Sequence, residues 1–88
     1  MKHTSHPRIL ARLKRAQGHL TAVIAMLQEE RPCTELAQQL HAVESAITNA
    51  KRELINDHIE HCLGDEVGAR RMDSKSTLRE LKNLAKYL

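Results

Sequence analysis

The sequence predicts an all-α protein, and three observations predict it. Apolar residues recur at alternating steps of four and three along two long stretches, the repeat of a single helical face. No stretch alternates apolar and polar residues as a half-buried strand would, and neither internal repeats nor low-complexity segments occur. Three Gly and two Pro leave few turns, so the 88 residues must form a few long elements.

The first helix begins after "TSH", where Pro7 suits a first helical position and Ser5 or Thr4 a cap. Ile9, Leu13, Ala16, Leu20, Val23 and Leu27 make its apolar stripe and carry it to about Glu30, before Pro32 breaks it. Gly18 is a tolerated weak point inside it. "ERPCTE" forms the turn, and Thr34 or Cys33 opens the second helix. Leu36, Leu40, Val43, Ile47, Ala50 and Leu54 then repeat the pattern, with no Gly or Pro before Gly64. A helix of about 30 residues follows, long for a small domain. "GDEVGARRMDS" reads as a loop, and Asp73 or Ser74 caps a short third helix with Leu78, Leu81, Ala85 and Leu88 as its stripe.

These elements suit one small domain over residues 1–88, with residues 1–6 as a flexible arm. The chain has no Phe or Trp and one Tyr, Tyr87. Leu, Ile, Val and Ala therefore build helix seams rather than a deep core. A domain this small buries a modest share of its apolar surface alone, and association is the usual remedy. A sustained heptad seam on a long second helix calls for another long helix from a second copy. An oligomer is expected on these grounds.

No apolar run approaches the roughly 20 residues that span a bilayer. "MKHTSHPR" has no apolar segment of the signal-peptide kind. A cytoplasmic chain with reduced thiols is expected, its two cysteines serving as ligands, redox groups or small buried hydrophobes. The net charge of +3 is unevenly spread. Residues 1–31 and 70–88 each carry six basic and two acidic side chains, whereas residues 32–69 carry two basic and seven acidic. Basic ends around an acidic middle fit a polyanionic partner, and equally the solvated faces of charged helices.

The chemistry concentrates in "DHIEHC". His58 and Cys62 are four apart on one helical face, within reach of a single metal ion. The other cysteine, Cys33, precedes His58 by 25 residues. That is roughly 38 Å along a straight helix at 1.5 Å per residue. If the second helix is continuous, Cys33 cannot meet His58 and Cys62 of its own chain. Two second helices packed antiparallel would bring each Cys33 beside the other chain's pair, giving an intersubunit site twice per dimer. Two thiolates and one imidazole suit Cu(I), or Zn(II), and less readily Ni(II) or Co(II). Three ligands fit trigonal Cu(I), whereas a structural zinc site is normally closed by four.

"RLKRAQGHL", a cysteine at the start of the second helix and then "DHIEHC" resemble the copper-sensitive operon repressor (CsoR/RcnR/FrmR-type) family from about Ile9 to Leu88. These are small helical bacterial regulators that respond to copper, nickel, cobalt, formaldehyde or sulfane sulfur. The resemblance implies a three-helix protomer, a dimer built on antiparallel second helices and a dimer-of-dimers tetramer. It further implies that the metal-free form represses a metal-export operon and that metal releases it from double-stranded operator DNA. In the copper members the positions of Cys33, His58 and Cys62 are the Cu(I) ligands, the cysteine coming from one subunit and the pair from the other. Copper members usually place a Tyr before the first cysteine, in a network with a Glu of the third helix. Here Pro32 takes that position, and Glu80 in "LREL" matches the Glu with a preceding loop two residues longer. Nickel and cobalt members add an N-terminal His, and His3 and His6 lie near that position without being in register. The sulfane-sulfur members lack the His at position 58, which separates them from this chain.

Arg8, Arg12 and Arg15 share one face of the first helix, with Lys14 beside them. Lys51 and Arg52 are the only basic residues of the second, and Lys75, Arg79, Lys82 and Lys86 form a stripe on the third. The resemblance matches Arg12 and Arg52 to positions implicated in DNA contact. No helix-turn-helix, zinc finger or basic zipper is present, so a broad basic surface acting on phosphates is the expected mode. Three rival readings stand beside it: a metal-buffering protein that binds no DNA, a helical interaction module, and a thiol redox enzyme. The last lacks a C-x-x-C pair and a general-base constellation, and an enzyme is not expected.

Overall fold

The computed structural model describes the backbone of residues 6–69 and 74–88 and the side chains of residues 6–60 and 75–88. Those residues form three helices and no strand: α1 (His6–Gln28), α2 (Cys33–Ala69) and α3 (Ser74–Ala85). His6 is therefore the first residue of α1, one ahead of Pro7, rather than part of an arm. Pro7 still lies in the first turn, where its missing N–H costs no helical hydrogen bond.

α1 stops in a Schellman motif. The Arg31 amide donates to the Met26 carbonyl at 3.1 Å and the Glu30 amide to the Leu27 carbonyl at 3.0 Å. This motif needs a left-handed residue, and Glu30 supplies it with φ of 57°. Pro32 then ends the turn, and its carbonyl accepts from the Leu36 amide at 3.0 Å to start α2. Cys33 is the first residue of α2, and the Arg31 guanidinium reaches Glu35 at 2.6 Å across this junction.

α2 runs unbroken for 37 residues, further than its sequence pattern suggests. The segment 64–69, read as loop on account of Gly64 and Gly68, is helical. Isolated Gly costs a helix only about 1 kcal/mol each and leaves every amide in place; a Pro would have ended the helix. The link 70–73 lies outside the described residues, and with it Asp73 as a candidate cap.

α1 and α2 pack antiparallel, since Arg8 meets Glu53 near one end and His19 meets Gln39 towards the other. The buried residues of α1 are Ile9, Ala16 and Val23, seven apart; those of α2 include Val43, Ala50 and Ile55. Half of the α1 stripe and, on α2, Val43 and Ala50 with Leu36 half-buried are thus the hairpin's core, Ile55 joining them from outside the expected stripe. The other half, Leu13, Leu20 and Leu27 on α1 and Leu40, Ile47 and Leu54 on α2, faces outward. The four–three pattern therefore serves two surfaces, because one antiparallel neighbour covers only one side of a stripe. On α3 the half-buried residues are Thr77, Leu81 and Leu84, whereas Leu78, Ala85 and Leu88 are exposed, so its inward face is rotated from the expected one.

The radius of gyration is 17.9 Å. A compact domain of this length would have about 12 Å. The longest dimension, 57 Å, is close to the length of α2 itself, roughly 56 Å at 1.5 Å per residue. The protomer is a long, thin hairpin with one side left apolar.

Candidate metal centre and basic face

Because α2 is one helix, Cys33 at its start and His58, 25 residues further along, cannot meet within one protomer. Cys33 is exposed at the first turn, and its chain offers no second thiol there. Among the described residues no group of three His, Cys, Asp or Glu side chains converges on one point. The Cys62 side chain lies outside those residues, and its backbone continues α2 one turn beyond His58. His3 lies outside them as well.

His58 is half-buried, and its Nε2 lies 2.9 Å from Glu80 Oε2. This contact joins α2 to α3 and ties Glu80 to His58, a pairing that the sequence resemblance does not supply: it matches Glu80 only to the glutamate that works with a Tyr at the position of Pro32. A carboxylate on one ring nitrogen fixes the tautomer that offers the other to a ligand. With Nε2 held by Glu80, Nδ1 is the ring atom through which His58 would take a metal. His6 lies at the end of α1 that meets α2 near Leu54, with which it lines one apolar groove. Leu54 precedes His58 by one helical turn.

The basic residues divide. Arg8, Arg12 and Arg52 line one groove of about 450 Å³ between α1 and α2, together with Glu53, Asp57 and Glu60. Arg12 and Arg15 border the next depression along α1, beside His19 and Asn49. Lys14 stands elsewhere, along the apolar groove of Leu10, Leu13, Leu20 and Ile47. Lys51 and Arg52 are exposed. The Arg8 guanidinium pairs with Glu53 Oε2, and Arg12 Nη1 lies 3.2 Å from Glu53 Oε1. Sequence reasoning missed Glu53. Its signal is the acidic run Glu53, Asp57 and Glu60 at i, i+4 and i+7, facing Arg8 and Arg12 at the same helical spacing. The His19–Gln39 contact at 2.7 Å was also missed, since nothing local ties two residues on different helices.

The profile of the family described as metal-sensitive transcriptional repressor matches residues 5–87. The chain belongs to the metal-sensitive transcriptional repressor family. Members of this family are transcriptional repressors, not enzymes. A copper-sensing transcriptional repressor, CsoR, of Mycobacterium ulcerans (strain Agy99) is 40% identical over 58 residues, covering 66% of this chain and 50% of that protein. The CsoR of Bacillus subtilis (strain 168) is 31% identical over 78 residues, covering 89% of this chain and 75% of that protein. The chain thus spans half of the first relative's length and three quarters of the second's. Among solved structures, the nickel-responsive transcriptional regulator InrS superposes with a TM-score of 0.84 at 31% identity, over 100% of this chain and 98% of that one. The three-helix fold is thus shared with a nickel-responsive regulator, while the sequence relatives are copper-sensing repressors. Among the described residues no helix is long and apolar enough to cross a membrane.

Proposed function

We propose that this chain is a repressor that binds double-stranded operator DNA in its metal-free form and leaves it on binding Cu(I). The metal site is shared between subunits: Cys33 of one protomer with His58 and Cys62 of the partner subunit. The observation that carries this reading is the unbroken α2 with its outward apolar heptad. Cys33, Leu40, Ile47, Leu54 and His61 follow one another at steps of seven. The three apolar members of that series are all exposed, Ile47 at its centre by 45%. Two α2 helices crossing antiparallel at Ile47 would set Leu40 against the partner's Leu54. The same register sets Cys33 against position 61, between the paired ligands. Cu(I) suits this donor set because thiolates are soft and three ligands satisfy its low coordination number.

His58 would carry the signal. It is tied to α3 through Glu80, so a change at its ring is felt by a second helix. A hundredfold loss of operator affinity on metal binding requires about 2.7 kcal/mol of coupling, and reciprocity demands the same difference in metal affinity between the free and DNA-bound protein.

A nickel-responsive reading has two observations in its favour: the likeness to InrS and the position of His6 beside Leu54, one turn before His58. In that reading His6 or His3 adds a nitrogen ligand, and Co(II) would serve as well as Ni(II). A single experiment separates the two. The full-length chain and a chain lacking residues 1–6 are each titrated anaerobically with Cu(I), Ni(II) and Zn(II) while release from operator DNA is followed. The copper reading expects Cu(I) release to survive the truncation. It fails if the full chain responds to nickel but not copper and the truncated chain responds to neither. A protein that binds metal and never binds duplex DNA would be a metal buffer instead.

A further inference from the structure

Glu53 occupies the floor of the groove that holds Arg8, Arg12 and Arg52. Its side chain is 18% exposed, and its Oε1 atom is buried without a hydrogen bond of good geometry, 3.2 Å from Arg12 Nη1. Its Oε2 is held by Arg8, through both Nε and Nη2. The two arginines differ from it in one respect that matters. The Arg8 side chain is 64% exposed and that of Arg12 41%, so both guanidiniums can swing outward while the carboxylate cannot follow.

The charges of the groove balance. Three guanidiniums line it, and so do the carboxylates of Glu53, Asp57 and Glu60. Among the described residues, the groove so lined has no net positive charge with which to meet a polyanion. An arginine already paired with a carboxylate also contributes less to the counterion release that drives binding to DNA. Moving Arg8 and Arg12 onto phosphates would strand a largely buried carboxylate, and an uncompensated buried charge is costly.

We propose that Glu53 is an internal competitor for the DNA phosphates. It holds Arg8 and Arg12 in the DNA-free protein, and binding to DNA exchanges this carboxylate for phosphate at both guanidiniums. The inference rests on the DNA-binding reading above and sets the affinity of that contact rather than its existence. Glu53 is thereby a restraint on operator affinity that keeps the repressor within range of release. Folding stability and DNA affinity then oppose each other at this residue: the pair that ties α1 to α2 is the one that DNA must break.

The test measures binding of the metal-free full-length protein to a mixed-sequence DNA duplex by fluorescence anisotropy, across a series of salt concentrations. The variants are Glu53→Gln and, as a control that removes the same charge from α2, Glu44→Gln. Glu44 is exposed and contacts only His41 at 3.8 Å among the ion pairs of the described residues. Glu53→Gln should tighten binding at low salt by about 3- to 30-fold and steepen the log–log salt dependence by up to about 0.9 for each guanidinium released. The same change should lower the thermal midpoint, since a bridge between α1 and α2 is lost. Glu44→Gln should move neither slope nor midpoint by a comparable amount. If Glu53→Gln binds more weakly, Glu53 orients the arginines for DNA instead, and the competitor role is wrong. Equal tightening by Glu44→Gln would reduce the effect to general charge and overturn it too. Should Glu53→Gln lose its helical signal, Glu53→Asp takes its place. There the charge stays but the carboxylate is drawn back from both arginines, and the same signs are required. Failure of the unaltered protein to bind any duplex would overturn the DNA-binding reading itself, and this inference with it.

Discussion

Glu80 reaches His58 through Nε2, on the side of the ring away from Nδ1, the nitrogen that the proposed site would use. Two thiolates alone can still hold Cu(I). His58→Ala should therefore weaken the link between metal and DNA release more than it weakens Cu(I) affinity; competition titration and a release assay on the same variant separate the two. Cys33→Ala should abolish tight Cu(I) binding, because the partner's pair would then lack the ligand that crosses the interface. Retention of wild-type Cu(I) affinity by Cys33→Ala would remove Cys33 from the site. Arg12→Ala and Arg52→Ala should weaken metal-free binding to operator DNA while sparing metal affinity. Removing one arginine–phosphate pair should flatten the salt dependence by up to about 0.9 in log–log slope. An unchanged slope for either variant would exclude that residue from DNA contact.

The helices themselves were largely legible, with instructive errors at their ends. The start of α2 at Cys33 follows from Pro32, whose ring ends one helix and whose carbonyl begins the next. The end of α2 was misread because two glycines look like a loop when read locally, although each costs a helix only about 1 kcal/mol. Glu30 shows the reverse: nothing in its side chain announces a left-handed conformation, and the Schellman motif at the end of α1 imposes it. Glu30→Gly should relieve this strain and raise stability by up to about 1 kcal/mol, the gain being limited by the greater freedom of Gly in the unfolded chain. A urea midpoint below that of the unaltered protein would mean that the Glu30 side chain contributes more than its backbone costs.

At the scale of the whole molecule, the hairpin leaves Leu10, Leu13, Leu20, Ile24, Leu27, Leu40, Ile47 and Leu54 exposed. Each is roughly half exposed, so covering each is worth about 1 kcal/mol. A tetramer of two antiparallel dimers is the assembly we expect to cover them. Sedimentation at micromolar concentration should give a single species of four chains, and a monodisperse monomer would defeat the shared metal site together with the assembly. Ile47→Glu tests the proposed crossing point. It places two carboxylates against each other at the two-fold axis and should dissociate the dimer while helix content by circular dichroism is kept. A variant that stays fully assembled would move the axis away from Ile47.

The sequence by itself determined that the chain is helical, that its second helix is long, and that Cys33 and the His58–Cys62 pair are too far apart to meet within one chain if that helix is continuous, which α2 is. Those conclusions need only periodicity and rise per residue, which are local properties. Which half of each apolar stripe the protomer buries was decided by tertiary structure alone, because Ile9 and Leu13, or Val43 and Ile47, look alike until a neighbouring helix selects one. The same holds for Glu53: three carboxylates on α2 are a charged face in sequence, and only the antiparallel pairing of α1 and α2 sets Arg8 and Arg12 upon one of them. Side-chain periodicity belongs to a helix; what that helix faces belongs to the fold.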